Sequence, residues 1–282
     1  MANKILRFKG TFSKAVSPRI LLHITNYFKR NKLRMSTTTA FFRNINQLNT
    51  IYELMPTPKK IFVFGCSSGS EVYTLAMFYN KKNANITPQI VGFDIDEHCL
   101  EKARRGIYSF EDLLYANNRP DESTAREVLE EYIVPRDDGQ YRIVEKVRTQ
   151  CGFNIGSVLD PNFIRNLDKV DIVFCQNVLI HMTEKENSRA IELLKSTVRP
   201  GGLLVIGGMR LSVKARMAKR IGLVPVTTNC CEIYEMQKDL RGLWDRSNVF
   251  NRPYYAMPPF TLTDDWQYRF STIFRVEGSK ST

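Results

Sequence analysis

A short apolar run, Ile61-Phe62-Val63-Phe64, opens directly into Gly65-Cys66-Ser67-Ser68-Gly69 and then into a helical stretch from Glu71 to Asn80. A second strand-like run, Gln89 to Phe93, closes on Asp94-Ile95-Asp96 and leads into another helical stretch, Glu97 to Arg105. Strand, glycine turn, helix, strand and terminal acid make up half of a nucleotide-binding sheet. Strands with so little polar alternation must be covered on both faces. This order therefore restricts the chain to an α/β fold with a doubly wound, mostly parallel sheet. A glycine turn between strand and helix brings backbone amides close to a ligand, and a carboxylate closing the next strand can accept both ribose hydroxyls of an adenosine. The turn is not GxGxxG, which argues against a nicotinamide cofactor.

Further strands are predicted at Cys151 to Val158, Val170 to Cys175 and Leu203 to Ile206, with a helix from Glu184 to Val198 that stops at Pro200-Gly201-Gly202. Ile221 to Val226 and Cys231 to Met236 read as a terminal antiparallel hairpin. The region of about 107–150 reads as a small α/β insertion on the sheet edge, with a helix at Glu122 to Tyr132 and a strand at Tyr141 to Val147. Ahead of the core, Arg19 to Leu33 has helical spacing of apolar residues, and Ser36-Thr37-Thr38-Thr39 offers N-cap oxygens for a helix over Ala40 to Leu54. The expected domains are a basic helical arm (1–55), the α/β domain (56–236) and an aromatic- and proline-rich tail (237–282).

The 282 residues carry a formal net charge of +12. No Asp or Glu precedes Glu53, whereas Lys4, Arg7, Lys9, Lys14, Arg19, Lys29, Arg30, Lys32, Arg34 and Arg43 do. Such a start suits an acidic protein surface or an anionic membrane. Apolar runs are too short to span a bilayer, so the expected location is cytoplasmic with peripheral membrane contact. The six cysteines form no CxxC pair and read as buried free thiols of a reducing compartment, with no metal site.

Gly65 to Gly69 also spells G-x-S-x-G, the nucleophile elbow, with Asp171 and His181 following in the chain order of a hydrolase triad. That reading lacks the strands and the oxyanion segment that precede such an elbow.

A set of ordered motifs resembles the CheR-like chemotaxis-receptor glutamate methyltransferases. Thr39-Ala40-Phe41-Phe42-Arg43 is similar to their T-x-F-F-R. Gly65 to Tyr73 is similar to the cofactor loop, Phe93-Asp94-Ile95-Asp96 to the D-I-D ribose segment, and Ala103 to Tyr108 to A-R-x-G-x-Y. Val173 to His181 resembles I-F-C-R-N-V-L-I-Y, and Pro200 to Leu204 matches the start of a late strand. The resemblance implies a seven-stranded Rossmann-like sheet and S-adenosylmethionine as cofactor. It implies that Gly65, Ser67 and Gly69 form the cofactor turn, that Glu71 meets the cofactor's amino acid portion and that Asp94 holds the ribose. Ser157, Val158, Asn177 and Val178 would line the pocket, while Thr39 and Arg43 reach over it. Arg43 would orient an acceptor carboxylate.

The departures fall more on the acceptor side than on the cofactor side. Ser70 and Val72 replace an acid and a proline of the loop, Gln176 stands for Arg, His181 for Tyr, and Gly208-Met209-Arg210 for H-S-E. A carboxylate acceptor needs no base, since it is ionised at pH 7. A hydroxyl acceptor must lose a proton, and His181 could take it. Two acceptor classes thus stay open: an acidic protein such as a receptor, or a glycan, lipid-linked or small-molecule hydroxyl. A non-catalytic cofactor-binding module is the third reading. Nucleic acid is not expected, because no N/D-P-P-Y/F motif is present.

Overall fold

A computed structural model describes residues 39–117, 123–236 and 264–278. All of them fall in one unit, Thr37–Thr282. Ten strands follow in chain order: β1 (Lys60–Phe64), β2 (Gln89–Asp94), β3 (Ile107–Tyr108), β4 (Ile133–Pro135), β5 (Tyr141–Ile143), β6 (Cys151–Ile155), β7 (Val170–Gln176), β8 (Val198–Gly207), β9 (Leu223–Pro225) and β10 (Ile273–Val276). Seven form the main sheet in the order β6-β2-β1-β7-β8-β10-β9, and β3-β5-β4 form a small second sheet. Strands β6, β2, β1, β7 and β8 are parallel, while β10 runs antiparallel to both β8 and β9.

The apolar strands feed two cores by alternation. Ile61, Val63, Ile172, Phe174, Leu203 and Val205 enter one. Phe62, Phe64, Val173, Cys175, Leu204 and Ile206 enter the other, under the Glu184–Thr197 and Leu211–Arg220 helices. Successive side chains of a strand point to opposite faces, so these runs stay buried because helices cover both. The chain turns away from β1 in opposite directions, to β2 on one side and β7 on the other. In open α/β sheets the crevice at such a switch point, outside the carboxyl ends of the strands, is where ligands bind.

Several expected elements are corrected. The helix before the core begins at Ile45, not Ala40, and its N-cap is Asn44, whose side chain accepts from the Gln47 amide at 3.0 Å. Burial overrides the Ser/Thr caps: Phe41 and Phe42 are fully buried, and Phe42 adopts φ 47°. Residues 230–236 are helical rather than a strand. The partner of β9 is instead β10, which comes from the expected tail, so the terminal antiparallel pair is not a hairpin. The strand expected to Val147 ends at Ile143 and gives way to the Glu145–Arg148 helix. Cys66, Cys175 and Cys230 are buried free thiols as expected, but Cys231 is exposed. The Arg19–Leu33 helix lies outside the described residues, as does most of the tail. No helix among the described residues is long and apolar enough to cross a membrane.

Candidate functional site

The turn after β1 is built from backbone. Gly65 and Gly69 take φ of 71° and 87°, and Ser67 between them takes 49°. A side chain at Gly65 would place its Cβ 2.1 Å from Val178 Cγ2, and one at Gly69 would come within 2.8 Å of Ala103 Cβ. Glycine is therefore required at both for space as well as for conformation. The amides of Gly65 and Cys66 both donate to the Phe93 carbonyl, at 2.7 and 3.1 Å. The Ser67 amide donates to Asp94 Oδ2 at 2.7 Å, and the Asp96 amide to Asp94 Oδ1 at 3.0 Å. Tyr108 braces the turn from behind through its hydroxyl, which donates to the Ser68 carbonyl at 2.6 Å.

Asp94 thus sits at the end of β2 with one chain amide on each oxygen. Burial pushes its carboxyl above the usual range, and the amides of Asp96, Ser67 and Ile95 pull it partly back. Glu71, in the first turn of the Ser70–Lys82 helix, is also pushed up by burial. The Arg43 guanidinium and the Gln176 amide oppose that rise. Both acids are only partly covered at the surface.

Arg43 reaches Glu71 because the segment before it is bound down. The Phe42 amide donates to Thr74 Oγ1 at 3.1 Å, and the Phe41 ring meets Tyr108 edge-on at 5.0 Å between centroids. Asn44 then starts the helix and donates to the Ile233 carbonyl at 3.0 Å. Thr39, half-buried, begins this segment.

On the other side of β1, the end of β7 carries Gln176, Asn177 and Val178. Asn177 takes φ 58°, and its amide donates to the Gly207 carbonyl at 3.1 Å. Gly208 lies against it; a Cβ there would fall 2.6 Å from Asn177 Cα. The Leu179–His181 3-10 turn follows, with His181 half-buried and its imidazole held below the usual value by burial. At the far strand, the Gly156 amide donates to the Asp94 carbonyl at 3.0 Å, which brings the segment leading to Ser157 and Val158 to the end of β2. Val158 is 5% exposed and joins the core under Phe93.

The carboxyl ends of β1, β2, β6 and β7 therefore carry Gly65, Ser67, Gly69, Asp94, Ser157, Val158, Asn177, Val178 and His181. Glu71 and Arg43 join them from helix and N-terminal segment. The hydrolase triad is excluded: Asp171 accepts from the Lys59 and Lys60 amides and pairs with Arg199, at the opposite end of the strands from Ser67. Sequence reasoning missed Gln47 and Thr272. Gln176 Nε2 donates to both Glu71 Oε1 (2.8 Å) and Gln47 Oε1 (2.9 Å), and Gln47 Nε2 donates to Thr272 Oγ1 (2.6 Å). The available signal was Gln47 itself, a polar residue in step with Leu48 and Ile51 on the buried face of its helix.

The family model described as CheR methyltransferase, SAM binding domain, matches residues 37–221. Chemotaxis protein methyltransferase 2 of Vibrio cholerae serotype O1 is 29% identical over 181 residues, spanning 60% of this chain and 60% of that protein. The probable biofilm formation methyltransferase WspC of Pseudomonas putida is 33% identical over 164 residues, 58% of this chain and 37% of its own. The chain therefore matches less than two thirds of the length of either relative. Among solved structures, the methyltransferase domain of bacterial CtHen1 aligns with a TM-score of 0.40 at 14% identity, covering 64% of this chain and 86% of that one. SAM-bound CalS10, an amino pentose methyltransferase from Micromonospora echinaspora, aligns at 0.34 and 14%, covering 69% and 58%. With the family match running unbroken from the N-terminal T-x-F-F-R segment through the glycine turn and β8, this chain belongs to the CheR methyltransferase family.

Proposed function

We propose that the protein is an S-adenosylmethionine-dependent O-methyltransferase that esterifies a glutamate carboxylate of an acidic protein acceptor. One observation carries this reading: Arg43, next to the left-handed, bound-down Phe42, is close enough for its charge to act on Glu71 at the carboxyl end of the sheet.

The residues fit the cofactor. Asp94 and Glu71 are acids whose burial is not fully offset by donors of the chain itself. Ribose hydroxyls at Asp94 and an ammonium at Glu71 would supply what is lacking. Glycine at 65, 69 and 208 lets the chain pass close against Val178, Ala103 and Asn177, which keeps the loops at the strand ends compact around this crevice. Gly65, Ser67 and Gly69 would face the cofactor with backbone, Ser157, Val158, Asn177 and Val178 would line its pocket, and Thr39 would close it from the N-terminal side. When bound, S-adenosylmethionine supplies a methyl group activated by a sulfonium.

The chain's own part in transfer is positioning. A glutamate side chain is ionised at pH 7, with an ordinary pKa of about 4.3, so no residue need remove a proton. The Arg43 fork can hold one carboxylate oxygen and aim the other. The net charge of +12 favours an acidic acceptor surface.

His181 favours a second reading. Burial holds its half-buried imidazole below the usual value, which favours the neutral form that could accept a proton from a glycan, lipid-linked or small-molecule hydroxyl. Methyl transfer from labelled S-adenosylmethionine into fractionated cell extract separates the two. Protein-bound label released as methanol by mild base is expected. Base-stable label in a glycan or lipid fraction would overturn the glutamate assignment in favour of the hydroxyl. Tight cofactor binding with no transfer would leave a binding module.

A further inference from the structure

Three side chains from distant parts of the sequence form a chain of hydrogen bonds that ends on Glu71. Gln47 lies on the buried face of the Ile45–Leu54 helix, 2% exposed, and Thr272, 4% exposed, immediately precedes β10. Gln176 closes β7. The nitrogen of Gln176 donates to Glu71 and Gln47, and the nitrogen of Gln47 donates to Thr272. The direction of this relay is not arbitrary. An ionised carboxylate can only accept, so Gln176 must turn its nitrogen to Glu71. Its second hydrogen then requires the Gln47 oxygen, which leaves the Gln47 nitrogen facing Thr272. The charge on Glu71 sets the orientation of both amides. Conversely, amides locked at the Thr272 end hold a donor on Glu71 and favour its ionised form.

The anchors are rigid. Thr272 accepts the Ile206 amide through its carbonyl at 2.8 Å, tying it to β8, and Gln47 follows the Asn44 cap by one helical turn. The carboxamide of Gln176 lies over Gly207. A Cβ at that position would stand 2.9 Å from Gln176 Oε1 and touch nothing else closer than 3.7 Å. Gly207 is outside the left-handed region, so glycine there makes room for the Gln176 amide.

We propose that Gln47 and Gln176 are positioning residues, an amide relay seated on Thr272 that holds the Glu71 carboxylate ionised and oriented for the amino group of the cofactor. This rests on the reading of Glu71 as the acid that meets the cofactor's amino acid portion. The relay links the N-terminal helix, β7 and the segment before β10 in series to Glu71, so the cofactor site is complete only when all three are in place.

Gly207→Ala tests it, because the only atoms it displaces are the flexible tip of Gln176. The variant is expected to melt within a few degrees of the parent yet bind S-adenosylmethionine about tenfold more weakly by calorimetry, the loss of one hydrogen bond to a charged group. In the ligand-free protein, a 13C-detected titration of the Glu71 carboxyl should move upward. Gln47→Leu, which removes the relay's anchor with little change of volume, should move both readouts the same way. It keeps the test alive should Gly207→Ala fail to fold. Parent protein that does not bind S-adenosylmethionine would overturn the site reading and the relay together. Parent binding with unchanged affinity and unchanged Glu71 titration in the variants would overturn the relay alone.

Discussion

The two sides of the site are built by different means. On the β2 side, main-chain groups do the holding: the Gly65 and Cys66 amides meet the Phe93 carbonyl, and the Ser67 and Asp96 amides grip Asp94. On the β7 side, side chains do it, through Gln176, Gln47 and Thr272, brought together across 129 and 225 positions of sequence. The first arrangement depends on a few consecutive residues and tolerates exchange of their side chains, glycines excepted. The second depends on the finished fold and on particular amides. This difference partly parallels the motifs: the β2 side keeps its family form apart from Ser70 and Val72 in the loop, and the departures at Gln176, His181 and Met209 cluster on the other side.

Substitution can break the comparison directly. The largest effect is expected from Gly65→Ala, which combines a left-handed backbone with a Cβ 2.1 Å from Val178 Cγ2. The two costs sum to about 3–4 kcal/mol of stability, read as a shift in a urea melt. Gly201→Ala is the control, with φ 78° but nothing within 4 Å, and should cost about 1–2 kcal/mol. Equal costs would mean that contact with Val178 does not constrain the turn.

A smaller effect concerns pH. Burial raises Glu71 and Asp94 in the folded chain, so the folded state holds these protons more tightly than the unfolded state does. The stability they contribute is present in acid and is lost as pH rises from the ordinary carboxylate value of about 4 through the raised folded values. The ligand-free double variant Glu71→Gln, Asp94→Asn should therefore show a flatter fall in melting temperature across that window than the parent. An identical slope would mean that neither acid is desolvated in the folded protein.

The smallest effect is expected from Ser67→Ala. The Ser67 amide, which alanine keeps, donates to Asp94, so S-adenosylmethionine affinity should stay within about twofold, under 0.5 kcal/mol. A tenfold loss would show that side chains matter on the β2 side as well, and the contrast between the two sides would fall.

The same division explains how much could be read from the sequence. The β1 turn and the Asp94 strand end announced themselves through adjacent residues, and the alternation of buried residues in β7 and β8 follows from their uninterrupted apolar runs. The start of the Ile45–Leu54 helix was misplaced because Phe41 and Phe42 are held by tertiary burial, which overrides the capping preference of Ser36 to Thr39. Cys231 to Met236 alternates well enough for a strand, but the sheet position it would take is filled by Ile273–Val276. Nothing local in either segment distinguishes the winner. Gln47 and Thr272 were illegible for the same reason: each is ordinary in its own neighbourhood and acquires meaning only from the other.

The late arrival of β10 also bears on how the protein is made. Among the described residues, strand β9 has no neighbour in the sheet other than β10, and β8 takes β10 on its outer edge. As the chain leaves the ribosome, Leu203–Val205 and Leu223–Pro225 emerge well before the strand that lies between them. Until then, two apolar strands wait with open hydrogen-bonding edges, the condition in which nascent sheets are most exposed to wrong pairing. Nascent chains halted ahead of Ile273 are therefore expected to be more prone to wrong pairing than chains that have passed Val276.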